Sequence, residues 1–283
     1  MNIAHTVARN IALKKAGLGF LVDRRRAPAP MAASSRQYEA PVIQLKGKRG
    51  RTEAEDCKYR GRTSQRGDIP LFWNEPTEGH ATRRPALRQA KTARGFTIFN
   101  GTVVFHESEL EHRVSTIIQA RADVRELHSQ FPILPFFDDD GVIHDHTFDY
   151  YVVFNDGYRV AIAVKHARKQ AQILDMFDRI AREDFSHVAD DLRLMTEENA
   201  TYGAFYNAHD ILRAREHFDT IEYETTLSIA KRLAGRFRFG ELLRGCRHVG
   251  SRRDAVWQLI DHGHLVPLSR GRISDLSWLT VPS

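Results

Sequence analysis

A sustained pattern of apolar and polar positions begins near Phe96. Thr97-Ile98-Phe99 and Thr102-Val103-Val104-Phe105 read as short strands around Asn100-Gly101, a pair suited to a hairpin turn. Ser108 then opens a segment in which Leu110, Val114, Ile117 and Ile118 recur at helical spacing, with Glu111 three residues beyond the serine. This is a capping box at the head of an amphipathic helix over 109–120. Phe131-Pro132-Ile133-Leu134 and an acidic turn, Asp138-Asp139-Asp140-Gly141, follow. Two β-rich stretches come next, Thr147–Phe154 and Tyr158–Lys165. Beyond Lys165 the pattern turns helical: Ile173, Phe177 and Ile180 share one face, and further helical periodicity is expected to about Leu194. From Tyr202 several short helical patterns lead into a turn-rich β segment.

The loop Asn155-Asp156-Gly157 sets the register of the two β-rich stretches. With all three residues in the loop and Gly157 in the left-handed position, Phe154 faces Tyr158, Val152 faces Val160, Tyr150 faces Ile162 and Phe148 faces Val164. Each apolar pair contributes roughly 0.2–1 kcal/mol, and a one-residue slip would set these side chains against Arg159, Ala161 and Ala163 instead. Side chains alternate between faces, so this register puts Asp149 across from Ala163 on the opposite face, with Lys165 one step beyond. A carboxylate on a rigid strand can ligate Mg²⁺, and a nearby ammonium can orient an attacking water or offset phosphate charge. Glu111, about one turn into the capped helix, is the candidate for a second acid. Taken one by one, the same residues also read as a surface ion pair and a helix cap.

Charge adds an arm to this picture. The whole chain carries a formal +6, but residues 1–95 hold 20 Lys/Arg against 8 Asp/Glu, and residues 96–283 hold 22 against 28. A basic, poorly patterned arm of this kind suits a phosphate backbone, or is simply a solvated extension. Residues 1–95 are expected to be largely disordered or draped over the body. The first thirty or so have the Ala/Arg composition of a transit peptide, with no other sign of an organelle; Met31 is a second candidate start, and a cytoplasmic location is expected. No apolar run is long enough to cross a bilayer. The two cysteines, Cys57 and Cys246, lack the spacing of a disulfide framework or zinc knuckle, and His144 and His146 lack a further ligand at fixed spacing.

Four segments in order carry a resemblance to a known family. Ser108-x-Leu110-Glu111, Gln130-Phe131-Pro132, Thr147-Phe148-Asp149-Tyr150 and Ala163-Val164-Lys165 resemble the S-x-L-E, Q-P-f, T-P-D-f and (E/Q)-x-K series of the TnsA N-terminal nuclease domain, across about residues 100–170. The resemblance implies an α/β class with a restriction-endonuclease-like (PD-(D/E)xK) mixed sheet flanked by helices. It also implies metal-dependent nicking of DNA at the 5′ ends of a mobile element, alongside a DDE-type, TnsB-like transposase and a TnsC-like ATPase regulator. Carried over by position, Glu111 and Asp149 become ligands of Mg²⁺ or Mn²⁺, with the Val164 carbonyl as a further ligand and Lys165 as the catalytic lysine. Phe148 stands where the family has proline, and Ala163 where it has Glu or Gln. A methyl group binds no metal, so either Glu107 or Glu109 moves in or cleavage is impaired. The alternatives are therefore a silent DNA-binding and bridging subunit, or a restriction or repair nuclease of the same fold.

The expected domains are the arm (1–95), a nuclease domain (96–200) and a C-terminal domain (201–283). In the last, Phe239–Cys246 and Ser251–Asp261 read as helices, followed by Leu265–Leu268, a Ser269–Arg272 turn and a strand region from Ile273 to Val281. That is a winged-helix outline, which the TnsA resemblance also implies. Ser251, Arg252 and Arg253 at the second helix and Arg270 and Arg272 in the wing are the expected DNA phosphate contacts, or a solvated face of a protein-docking module.

Overall fold

In the computed structural model residues 14, 15, 17, 75–84, 93–233 and 235–282 are described. The expected basic arm falls almost wholly outside them, as do Cys57 and Met31. The described piece 75–84 is docked on the body: Thr77 bridges to Thr102, and Arg83 reaches Glu107 and Gln130.

The chain is a mixed α/β fold with several sheets and five α-helices among the described residues. Strands β1 (Gly95–Phe99) and β2 (Thr102–His106) form the expected hairpin, with positive φ at both Asn100 and Gly101. Ser108 caps α1 (Glu109–Gln119), accepting from the Glu111 amide. The central sheet runs β3 (Val124–Ser129), β6 (Tyr150–Phe154), β7 (Arg159–Val164), β8 (Asp191–Met195); the first three are antiparallel and β8 is parallel to β7. A separate hairpin, β4 (Ile133–Phe137) and β5 (Ile143–Thr147), turns around the acidic loop. Helix α2 (Gln170–Ile180) precedes β8.

The β6–β7 register is the one the apolar alternation specifies: Tyr150 opposes Ile162, Val152 opposes Val160, and Gly157 takes φ 85° in the loop. The two faces of the sheet bury different sets. On one, α1 lays Leu110, Val114, Ile117 and Ile118 against Leu127, Tyr150, Val152, Ile162 and Val164. On the other, α2 lays Ile173, Phe177 and Ile180 against Tyr151, Val153, Ala161 and Ala163.

Two expectations change. The single strand Thr147–Phe154 is broken, because Phe148 and Asp149 lie between β5 and β6 in a bend. Phe148 therefore does not pair with Val164; it turns to the α2 side and stacks on Phe177 at 5.6 Å between ring centroids. The expected helical run to Leu194 ends in β8, where Ala163 and Val164 of β7 pair with Leu194 and Met195 in the parallel ladder.

Three further helices follow: α3 (Tyr202–Glu216), α4 (Thr220–Arg232) and α5 (Val249–Asp261). A small sheet orders β10 (Val266–Pro267), β11 (Trp278–Thr280) and β9 (Arg236–Arg238), with β11 central. Phe239–Cys246, expected to be a helix, is a short 3-10 turn at Phe239–Glu241 followed by turns. The apolar cluster beneath α1 continues without a break into Ile211, Phe239, Trp257 and Leu279. Arg215 fastens the two halves, pairing with Asp261 at 2.8 Å and donating to the Ala120 carbonyl at 2.6 Å.

Candidate functional site

The bend at Asp149 is held by its own side chain. Oδ2 accepts the Val164 amide hydrogen at 2.7 Å and the Lys165 ammonium at 3.1 Å. The carboxylate thus stands in for a missing backbone partner at the end of β7 and draws the lysine to the same point. Its route there differs from the expected one, since Asp149 lies outside the β6–β7 ladder and has no residue across from it.

Glu111 comes from the other side of the junction. Tyr150, fully buried, places its hydroxyl 3.0 Å from the Glu111 carbonyl and 3.2 Å from that of Phe105, so β6 holds the first turn of α1 beside the bend. The Glu111 carboxylate takes the Glu107 amide at 2.7 Å and the Ser108 hydroxyl at 2.9 Å, a variant of the capping box that holds the amide one residue before the cap. Burial raises the Glu111 pKa, the negative charge of Asp149 raises it further, and Lys165 works in the opposite direction. Glu111 is therefore in electrostatic reach of Asp149 and Lys165. Glu107 pairs with Arg83 at 3.0 Å, and Glu109 lies 3.6 Å from Arg113.

His146 belongs to the same neighbourhood. Its Nε2 is buried without a hydrogen-bond partner; burial lowers its pKa, Asp149 raises it and Lys165 lowers it. His144 is turned away and bound to Asp138 at 2.7 Å. Ala163 is fully buried in the α2 cluster. Its methyl group supplies no ligand atom, and among the described residues no group of three or more His, Cys, Asp or Glu side chains is gathered to hold a metal ion. Val164 contributes its amide to Asp149; a ligand role for its carbonyl rests on the resemblance alone.

The expected C-terminal phosphate contacts are mostly committed inside the protein. Arg252 is buried, with Nε 2.6 Å from Glu222 and a second bond to the Leu242 carbonyl. Arg253 is paired with Asp275. Arg272 holds Asp210 at 2.7 Å and the Asn207 side chain at 3.0 Å. Ser251 is half-buried within α5 rather than at its start, which lies at Val249, while Arg270 is exposed. The acids that neutralise these arginines lie 22 to 62 positions away in sequence, so the local pattern of basic residues gave no sign of the pairing. The signal that was available, the net negative balance of residues 96–283, pointed to internal partners.

No protein-family pattern matches the chain, and no curated protein is significantly similar to it.

Proposed function

We propose that the chain is a TnsA-like, metal-dependent DNA-nicking subunit with a restriction-endonuclease-like core and a winged-helix-like C-terminal part, acting at the 5′ ends of a mobile element. The observation that carries this reading is the meeting of Asp149 and Lys165 at 3.1 Å at the end of β7, with Glu111 in electrostatic reach. A mixed sheet covered by one helix on each face supports the core assignment, and α5 followed by the small sheet supports the C-terminal one.

The donor chemistry fits a hard divalent cation in part. Two largely buried carboxylates that repel each other, offset by one lysine, leave a negative charge that Mg²⁺ or Mn²⁺ would balance. Asp149 and Glu111 would hold it. The bound ion would supply Lewis-acid polarisation of the scissile phosphate and lower the pKa of a bound water. Lys165 then has two tasks, offsetting phosphate charge and orienting the attacking water. The Val164 amide fixes the Asp149 carboxylate, and Tyr150 fixes the turn that carries Glu111.

A second reading is favoured by Ala163 and by the cap bonds that occupy both Glu111 oxygens. On it the subunit binds DNA and bridges a DDE-type transposase and an ATPase regulator without cutting. Element-end DNA incubated with the purified chain, its transposase partner and Mn²⁺ or Mg²⁺ separates the two. Nicking that Asp149→Ala and Lys165→Ala both abolish supports the enzyme; identical traces from wild type and variants leave the binding role. Cutting of unrelated DNA without a partner would instead indicate a restriction or repair nuclease.

A further inference from the structure

The small C-terminal sheet has one buried and one open face. Phe237 and Leu279 point into the core, so by strand alternation Arg236, Arg238, Trp278 and Thr280 share the opposite side. Register places Arg238 directly across from Trp278, and Arg236 across from Thr280. Both guanidiniums lie over the indole, at 5.3 Å for Arg236 and 4.9 Å for Arg238. Trp278 remains 37% exposed. Arg252, Arg253 and Arg272 have carboxylate partners, whereas among the described residues neither Arg236 nor Arg238 forms an ion pair. The surrounding segment, residues 231–247, carries six Lys/Arg and one acid, Glu241, and Arg244 and Arg247 within it are exposed.

An indole under a guanidinium limits its orientations and leaves its N–H edge free, which reduces the entropy lost when it grips an anion. Alternate residues on a strand stand about 7 Å apart, on the order of the separation of successive phosphates along one DNA strand. We propose that Arg236, Arg238 and Trp278 form a docking surface for the phosphate backbone of duplex DNA, in place of the internally paired arginines. The contact reads no sequence. It presupposes that the partner is DNA, but not that the subunit cuts it.

The test is binding of the full chain to a fluorescein-labelled duplex of unrelated sequence in EDTA, where cleavage plays no part. Arg236→Ala/Arg238→Ala is expected to weaken binding about tenfold near physiological salt and to reduce the slope of log K against log salt by about 1.8, as for two lost phosphate contacts. The basic residues of 1–95 contribute equally to wild type and variant. In a Trp73→Phe background Trp257 is buried, so exposed indole emission reports Trp278 and is expected to change on DNA binding. Unchanged affinity and slope in a variant with wild-type melting overturn the proposal. So does an indole signal indifferent to saturating DNA, a result that stands even if the double variant misfolds. Preferential capture of polyglutamate over the duplex overturns it in favour of an acidic protein partner. Loss of nicking with DNA binding and the indole response intact would count against the nuclease reading alone.

Discussion

Asp149 and Lys165 meet through a single oxygen, the same Oδ2 that takes the Val164 amide hydrogen. The carboxylate therefore supports the end of β7 as well as placing the ammonium. Asp149→Ala should leave a buried amide and a partly buried lysine without their acceptor, costing about 1–3 kcal/mol in urea unfolding. Asp149→Asn keeps an acceptor for the amide and should lose clearly less stability while losing nicking to the same extent. Equal destabilisation by both substitutions would mean that charge, rather than the hydrogen bond to Val164, holds the bend.

Glu111 also has two roles, and glutamine separates them. A capping box accepts Gln as well as Glu, so Glu111→Gln should retain the helix start. The raised pKa means that the ionised form is disfavoured by folding: the group's stabilising contribution is full below its unfolded pKa and is lost as pH rises through the folded value. Glu111→Gln should therefore be at least as stable as wild type at neutral pH. Mn²⁺ at a hundredfold excess over its Kd should stabilise wild type by about 2.7 kcal/mol and Glu111→Gln by far less. Undiminished metal stabilisation in the variant would remove Glu111 from the ligand set.

What the sequence disclosed about this site depended on how local each determinant was. The β6–β7 register was legible because it sets Val152 against Val160 and Tyr150 against Ile162, and Gly157 supplies the left-handed turn residue. The start of α1 was legible because Ser108 and Glu111 are three residues apart. The bend at Phe148 and Asp149 was not, since it depends on a carboxylate accepting from an amide 15 residues away. Strand β8 was hidden by its brevity, because Leu192 and Leu194 fit the end of a helical pattern as well as a strand. The arginines of α5 were misread for the same reason as the bend, as Glu222 lies 30 residues from Arg252.

That last pair can be checked directly. Arg252→Ala would leave the Glu222 carboxylate and the Leu242 carbonyl without their donor, and removing one partner of such a pair should cost about 3 kcal/mol in chemical denaturation. Arg270→Ala, at an exposed position, should leave stability within about 0.5 kcal/mol of wild type. An Arg252→Ala variant of unaltered stability and weakened DNA binding would return this residue to the phosphate-contact role.

A pair of histidines behind the site should make stability depend on acidity. His106 stacks on His112 with ring centroids 4.4 Å apart, and both are held in the neutral form. Burial is the larger cause for His106 and the neighbouring histidine adds to it, bringing its pKa from 6.5 to about 4. The unfolded chain takes up a proton at this residue near pH 6.5 while the folded chain does not until about pH 4. Across that window the unfolded state binds more protons, so stability rises with pH and is lost as pH falls. At about 1.36 kcal/mol per pH unit, lowering the pH across the window should remove roughly 3 kcal/mol through His106, with His112 adding in the same direction. His106→Gln removes the titrating ring but keeps a polar side chain, and should flatten the slope of unfolding free energy between these limits relative to wild type. Parallel curves for wild type and variant would show that the ring takes up its proton without unfolding, through a local opening at the β2–α1 junction.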